Sequence, residues 1–308
     1  MGPYADRTTC RRRRRTGRAV LALATVLTVT GCGLLGGGSG DDTAAAPSES
    51  ESAPSADASE PSAAPSQRRT AAPRPEAPRP ARGDCRRLDW RDTRSAVTDA
   101  GSEPTRCNRA HTAETFARGT LDVVPGSGGQ PDTRQLGGTS VQCRSALVDW
   151  LGGDEAAYEL SMFAYVVAVP TSEDLAAGAR WWRCDAFATD RPGELTRLHG
   201  TTRRGLAGRT ADRWATCVRG RLDANPEQVL CREPHDWRAV GAHRLGGRGA
   251  DYPGRNVVAD RMRKTCEDEV GTYEGDPLEG FDYGWLRPTL ADWRVGQRFG
   301  LCFAKTRE

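Results

Sequence analysis

"PTSEDLAAGARWWRCDA", Pro170–Ala186, aligns without a gap on "PTLADWRVGQRFGLCFA", Pro288–Ala304. Pro, Thr, Gly, Arg, Cys and the closing Ala coincide, and Leu175 stands opposite Trp293. The agreement continues outward from this stretch. Cysteines fall in two quartets: Cys85, Cys107, Cys143 and Cys184, then Cys217, Cys231, Cys266 and Cys302. The second and third are 36 and 35 positions apart, and the third and fourth 41 and 36. "CNRAH" (Cys107–His111) and "CREPH" (Cys231–His235) hold the same place in each quartet. Four and seven residues past the third cysteine, Leu147 answers Val270 and Trp150 answers Tyr273. Agreement at so many positions indicates an internal duplication, with units at 85–187 and 214–308 and a connection at 188–213.

Each unit has one coarse plan. The first cysteine opens a short strand, and the second begins another, with alternation visible in "WRAVGAHRL". Val258, Met262, Cys266, Val270 and Tyr273 step by four, four, four and three, one apolar stripe on a helix that carries the third cysteine. A strand follows ("YELSMFAYVVAV", Tyr158–Val169, or "FDYGWL", Phe281–Leu286), then a turn at Pro-Thr and a last strand with the fourth cysteine. The expected fold is α+β: two tandem disulfide-stapled units, each a small antiparallel sheet with one packed helix, after a disordered tether. A core of this size is marginal alone, and each disulfide adds about 2–4 kcal/mol. The matched quartets keep the bonds within units, and the helix cysteine faces the core where the last strand lies. The expected pairs are therefore Cys143–Cys184 and Cys266–Cys302, with Cys85–Cys107 and Cys217–Cys231 closing the shorter loops.

The N-terminus reads as an export signal. Arg11–Arg15 precede an apolar run from Ala19 to Thr30, then Gly31 and Cys32. A basic region, about a dozen apolar residues and a small residue before the cut describe a secretory signal peptide at 1–31. The run falls short of the ~20 apolar residues that span a bilayer. "VTGC" (Val29–Cys32) resembles the bacterial lipobox, which implies diacylglycerol on the Cys32 thiol, cleavage before it, and acylation of the new amino group. The arginine pairs leave export by the general or the twin-arginine route open. Localisation on the outer face of the cytoplasmic membrane follows.

Removing 1–31 takes away seven arginines and one acid, so a formal charge of +3 becomes −3. A basic footprint for nucleic acid is therefore not expected. Residues 33–84 are Ala, Pro, Ser, Gly and charge with almost no large apolar side chain after Leu35. Such a segment stays disordered, and as a flexible coil it reaches ~40 Å. Residues 32–84 thus read as an anchor and a tether.

The paired Cys-x-x-x-His could be a nucleophile and base, a metal clip, or scaffold. A catalytic thiolate must be free, whereas Cys107 and Cys231 belong to complete quartets in an oxidising compartment. Structural zinc wants closely spaced ligand pairs, and no two of these eight cysteines lie within ten positions. Scaffold is the expectation, with no metal and no cofactor. Candidate binding residues are His111, Glu114, Trp181, Trp182 and His235. Glu114, three residues after His111, could orient its ring, but Arg238 holds the matching place in the second unit. Tandem tryptophans on a strand point to opposite faces, so Trp181 and Trp182 divide between core and either a neighbouring element or a ligand. No nucleophile elbow, P-loop or zincin motif is present.

With these residues in view the chain resembles the septum formation family of actinobacterial envelope proteins. The resemblance rests on a C-x-x-P-H motif, a cysteine-bearing helix, a Pro-initiated segment and a terminal G-x-R…C. "CREPHDWRAVGAHRLGGRGADYPG" and the chain onward to Cys302 match it, whereas "CNRAH" lacks the proline. The resemblance implies an envelope role near division. The expected function is a non-catalytic, lipid-anchored envelope protein that binds another envelope protein or a cell-wall component. The competing expectations are a carboxylate-dependent envelope hydrolase and a passive spacer.

Overall fold

The computed structural model describes residues 7–12, 79–94, 97–98, 103–122, 133–275 and 280–306. Cys32 and most of the expected signal peptide and tether lie outside the described residues. In chain order the elements are β1 (Arg7–Arg12), β2 (Cys85–Arg86), α1 (Trp90–Arg94), β3 (Val97–Thr98), β4 (Ala113–Thr120), α2 (Thr133–Leu151), α3 (Glu155–Glu159), β5 (Phe163–Val169), α4 (Ser172–Ala176), β6 (Trp181–Arg191) and β7 (Glu194–Leu195). There follow β8 (Thr216–Arg221), β9 (Ala224–Leu230), β10 (Trp237–Arg244), α5 (Arg255–Tyr273), β11 (Phe281–Leu286), α6 (Leu290–Arg294) and β12 (Phe299–Lys305). No helix among them is long and apolar enough to cross a membrane.

The protein is α+β, with two antiparallel sheets and four disulfides. One sheet runs β2-β4-β6-β5-β3, the last pair parallel. The other, from its matching side, runs β9-β8-β10-β12-β11-β1. Registers coincide at the cysteines. Cys184 lies between Ala117 and Val167, and Cys302 between Gly241 and Trp285. Cys85 faces Glu114 as Cys217 faces Arg238. Each long second strand carries a bulge four residues past its histidine, at Thr115/Ala117 and at Ala239/Gly241. A bulge lets two successive side chains turn to one face, and both Phe116 and Ala117 pack on the helix side.

One helix covers one face of each sheet. Val258, Met262, Cys266 and Val270 of α5 are fully buried against Phe281, Tyr283, Trp285 and Cys302. Tyr273, placed on that stripe from sequence, is instead 55% exposed at the helix end. Its counterpart Trp150 is buried because residues 202–206 close over it, with Nε1 donating to Thr202 Oγ1 at 2.9 Å. The disulfides join Cys143–Cys184, Cys266–Cys302, Cys85–Cys107 and Cys217–Cys231. Two further boundaries shift. Tyr158 belongs to the short helix α3, capped by Asp154, so the strand starts at Phe163. The Pro-Thr turns are one-turn helices, α4 and α6, whose N-caps Thr171 and Thr289 accept from the amides of Asp174 and Asp292.

Residues 188–213 are not a free connection. Leu198, Leu206 and then Trp214 lie in the first core, and Trp214 stacks on Phe163 at 4.6 Å. Leu230 of β9 completes that core, while Leu160 packs on the second-half cluster of Val218, Trp237, Leu301 and Phe303. Residues 79–84, expected in the tether, are also built in: the Gly83 amide donates to Thr115 O at 2.7 Å, and Arg82 lies over Trp150.

The sheet faces away from the helices differ in chemistry. In the first half Asp185, fully buried, accepts from Thr115 Oγ1 at 2.6 Å and Arg183 Nε at 2.8 Å. Arg86 Nε reaches the same Thr115 hydroxyl, and its Nη2 pairs with Asp84 at 3.0 Å. The register places Val218, Ala239, Leu301 and Phe303 at the equivalent positions of Arg86, Thr115, Arg183 and Asp185. Removing one member of a buried ionic group strands the others, at about 3–5 kcal/mol, whereas replacing all by packed apolar groups is often neutral. Asp185→Ala should therefore lower urea-unfolding stability by about 3–5 kcal/mol. The fourfold change Arg86→Val, Thr115→Ala, Arg183→Leu and Asp185→Phe should cost less than that single substitution.

Candidate functional site

The Cys-x-x-x-His segments take one geometry in both halves. His111 Nδ1 donates to Arg109 O at 2.8 Å, and His235 Nδ1 to Glu233 O at 2.7 Å, each two residues back. The bond fixes the ring and leaves Nε2 as the acceptor. The next residue returns to the first-cysteine strand. The Thr112 amide donates to Arg86 O, and the Asp236 amide to Val218 O, both at 2.9 Å. Their side chains then accept the amides of Leu88 and Gly220, both at 2.7 Å. Leu88 and Gly220 each stand three residues past the first cysteine. The Gly220 amide, followed by Lys305, holds the Asp236 carboxyl below the usual aspartate range. Disulfide, ring bond and side-chain cap together pin one turn to one strand.

This arrangement has little to offer a substrate or a metal. Cys85, Cys107 and Glu114 lie within 4.8 Å of one another, the spacing of a metal cluster. Both sulfurs are consumed in a disulfide, and a ligating sulfur must be a thiolate. Glu114 does not orient His111, as its position in sequence suggested. Its oxygens accept from Thr201 Oγ1 at 2.7 Å, Thr202 N at 2.5 Å and Thr202 Oγ1 at 2.6 Å. Arg238, in the matching place, pairs with Asp212. Both positions thus hold the segment that links the halves. His111 is buried, and its Nε2 finds no hydrogen-bond partner among the described residues.

Trp181 is buried on the charged face beneath Arg183, whose guanidinium lies 5.4 Å from its ring centre. Trp182 turns to the helix face and packs on Gly119, where a Cβ would come within 2.4 Å of its ring. Neither ring forms an open platform.

A seam between the halves carries the pKa shifts of most interest. Arg144 of α2 pairs with Glu159, donates to Gln297 Oε1 at 3.3 Å, and lies over Tyr158. Burial raises the Glu159 carboxyl, and Arg144 partly offsets it. Among the described residues Glu159 is the one carboxyl so raised, yet its side chain is 7% exposed and engaged by an arginine. That geometry suits a structural ion pair better than a general acid.

Beside the seam, the end of β10 and the outer side of α5 form an open groove of about 470 Å³, lined by His243, Arg244, Leu245, Asp260, Arg261, Lys264 and Thr265. Nothing in the sequence analysis marked it. Its cations come from two elements, with Arg261 and Lys264 standing 17 and 20 residues after Arg244 and "GGRGADYPG" between the elements.

A family model described as septum formation matches residues 82–302. The chain belongs to the septum formation family. The match spans both cysteine quartets, from the turn before Cys85 to Cys302 itself. No curated protein and no solved structure matches the chain.

The clamps of this septum formation protein make distinct demands on its residues. His235→Gln should cost about 1 kcal/mol in urea unfolding, the net worth of one hydrogen bond, and Cys231→Ser about 2–4 kcal/mol. Titration of the folded protein should find none of the eight domain cysteines free. Because the folded Asp236 pKa is depressed, its contribution is present above the unfolded value near 4 and is lost as pH falls through the folded one. Asp236→Asn should thus lower the melting temperature at pH 7 and converge on the parent protein in acid.

Proposed function

We propose that this protein is exported, processed before Cys32 and held by lipid at the outer face of the cytoplasmic membrane. There it serves as a non-catalytic binding protein in the envelope, in a role connected with septum formation. The observation that carries the reading is the family match over a domain stapled by four disulfides, behind an N-terminus ending its apolar run in "VTGC". Disulfides persist in oxidising compartments, which supports export. Two acyl chains give stable anchoring where one is marginal.

The two halves are read as copies of one ancestral unit, divided at 85–187 and 214–308. Shared strand order, the cysteine registers, the two bulges and the paired histidine turns support this reading. The partner is an envelope protein or a cell-wall component, reached through the tether.

Cys32→Ala should abolish incorporation of labelled palmitate and shift the protein from the membrane to the soluble fraction, or stall it as precursor. Label entering the Cys32→Ala chain at an undiminished level would overturn the anchor.

A further inference from the structure

The groove between β10 and α5 sets cations from several elements around one concavity. Arg244 closes β10, while Arg261 and Lys264 lie three residues apart on α5 and share a face. Thr265 adds a hydroxyl, and His243 and Leu245 complete the wall. Two of these groups have acids beside them, Glu155 on Arg244 and Glu269 at 3.2 Å from His243, so the uncompensated charge rests on Arg261 and Lys264. Asp260, the acid in the lining, is 75% exposed and pairs with Arg263 at 3.6 Å. Arg261 spends one N–H on Leu245 O at 3.3 Å. Lys264 has no ion-pair partner among the described residues.

Further cations stand behind the lining. Arg244 is held below the usual arginine range by burial first, then by repulsion from Arg144, Arg248 and Arg298. Glu155 pairs with Arg244 from α3, and the repulsion persists beside it. A concavity with low-dielectric walls and one sign of charge concentrates ions of the opposite sign. The whole-chain balance does not explain this concentration, because the chain without residues 1–31 is formally −3.

We propose that this groove is a binding site for phosphate or phosphodiester groups. Arginine offers a planar fork of donors to tetrahedral oxyanions, lysine a mobile point charge, and threonine a hydroxyl donor. All three chemistries line the groove. Its volume of about 470 Å³ falls within the roughly 300–1,000 Å³ of small-ligand sites. Being open to solvent, it accommodates a group carried on a longer molecule, either a soluble phosphate polymer or a lipid headgroup. The assignment deepens the binding role proposed above but does not depend on the lipid anchor, since every element of the groove lies within residues 243–265.

The test uses the full chain purified in a neutral detergent and titrated with short-chain inorganic polyphosphate by calorimetry. Saturable binding that weakens as salt rises is expected. Arg261→Ala with Lys264→Ala should weaken it at least tenfold. Both side chains are exposed, so the double variant should fold, as melting would verify. Arg118→Ala removes the same kind of charge from an exposed position on β4, outside the lining, and should leave affinity within twofold. A second arm reconstitutes the protein in phosphatidylcholine bilayers with or without phosphatidylglycerol and reads cross-linking from Lys264→Cys to the headgroup layer. Cross-linking that requires phosphatidylglycerol, without polyphosphate binding, assigns the phosphate to lipid. Polyphosphate binding without that dependence assigns it to a soluble polymer. No binding in either arm, or equal loss from Arg118→Ala, overturns the site. Palmitate labelling of the same preparations reads the anchor separately, so failure of either proposal is visible alone.

Discussion

A sheet of five or six strands, most of them short, has little apolar area with which to hold one helix in register. The bonds Cys143–Cys184 and Cys266–Cys302 answer this constraint, since each ties the middle of the helix to the central strand of its sheet. Once that point is fixed, the apolar residues one turn to either side on α5 must meet β11 and β12. The second pair of disulfides works at the margin, keeping a two-residue strand such as β2 attached to β4. Disulfide-dense small domains are the general solution where burial alone falls short.

The same frame tolerates two chemistries on its other face. In the first half the positions beyond the helix hold Arg86, Thr115, Arg183 and Asp185, and in the second Val218, Ala239, Leu301 and Phe303. The backbone registers agree, so the difference lies in side chains alone. A buried ionic group demands matched partners and defines geometry more narrowly than an apolar cluster, with weak net gain in stability. The half carrying it is also the half into which residues 79–84 and 198–206 are built through hydrogen bonds.

Much of this plan could be read in the chain because cysteine positions and their flanks survive as a spacing code. The succession of elements within a half, the helix stripe through Cys266 and the division of the disulfides all follow from it. What escaped had physical reasons. Tyr273 continues the periodicity of α5, but no later segment among the described residues covers the helix end as residues 202–206 cover Trp150. "YELSM" has strand-forming residues, yet Asp154 caps a helical turn there. Arg183 and Asp185 look like the solvated positions of an alternating strand, and their burial depends on contacts with Thr115, 70 residues from Asp185. Glu114 was legible as an acid three residues past His111, but its partners Thr201 and Thr202 are 87 and 88 positions away. The groove was invisible for the same reason: proximity across a fold leaves no local pattern.

The exchange of Leu160 and Leu230 carries a consequence for how such a chain can change over generations. In a chain of independent domains one can be dropped and the other still folds. Here Leu230 belongs to the second half and fills the first core, while Leu160 belongs to the first half and packs on the second. Loss of either half would leave a leucine-sized void in the survivor and expose the apolar side of the link that carries Leu198, Leu206 and Trp214. The pair behaves as a ratchet: mutations accumulate within each half, but deletion of either half is closed.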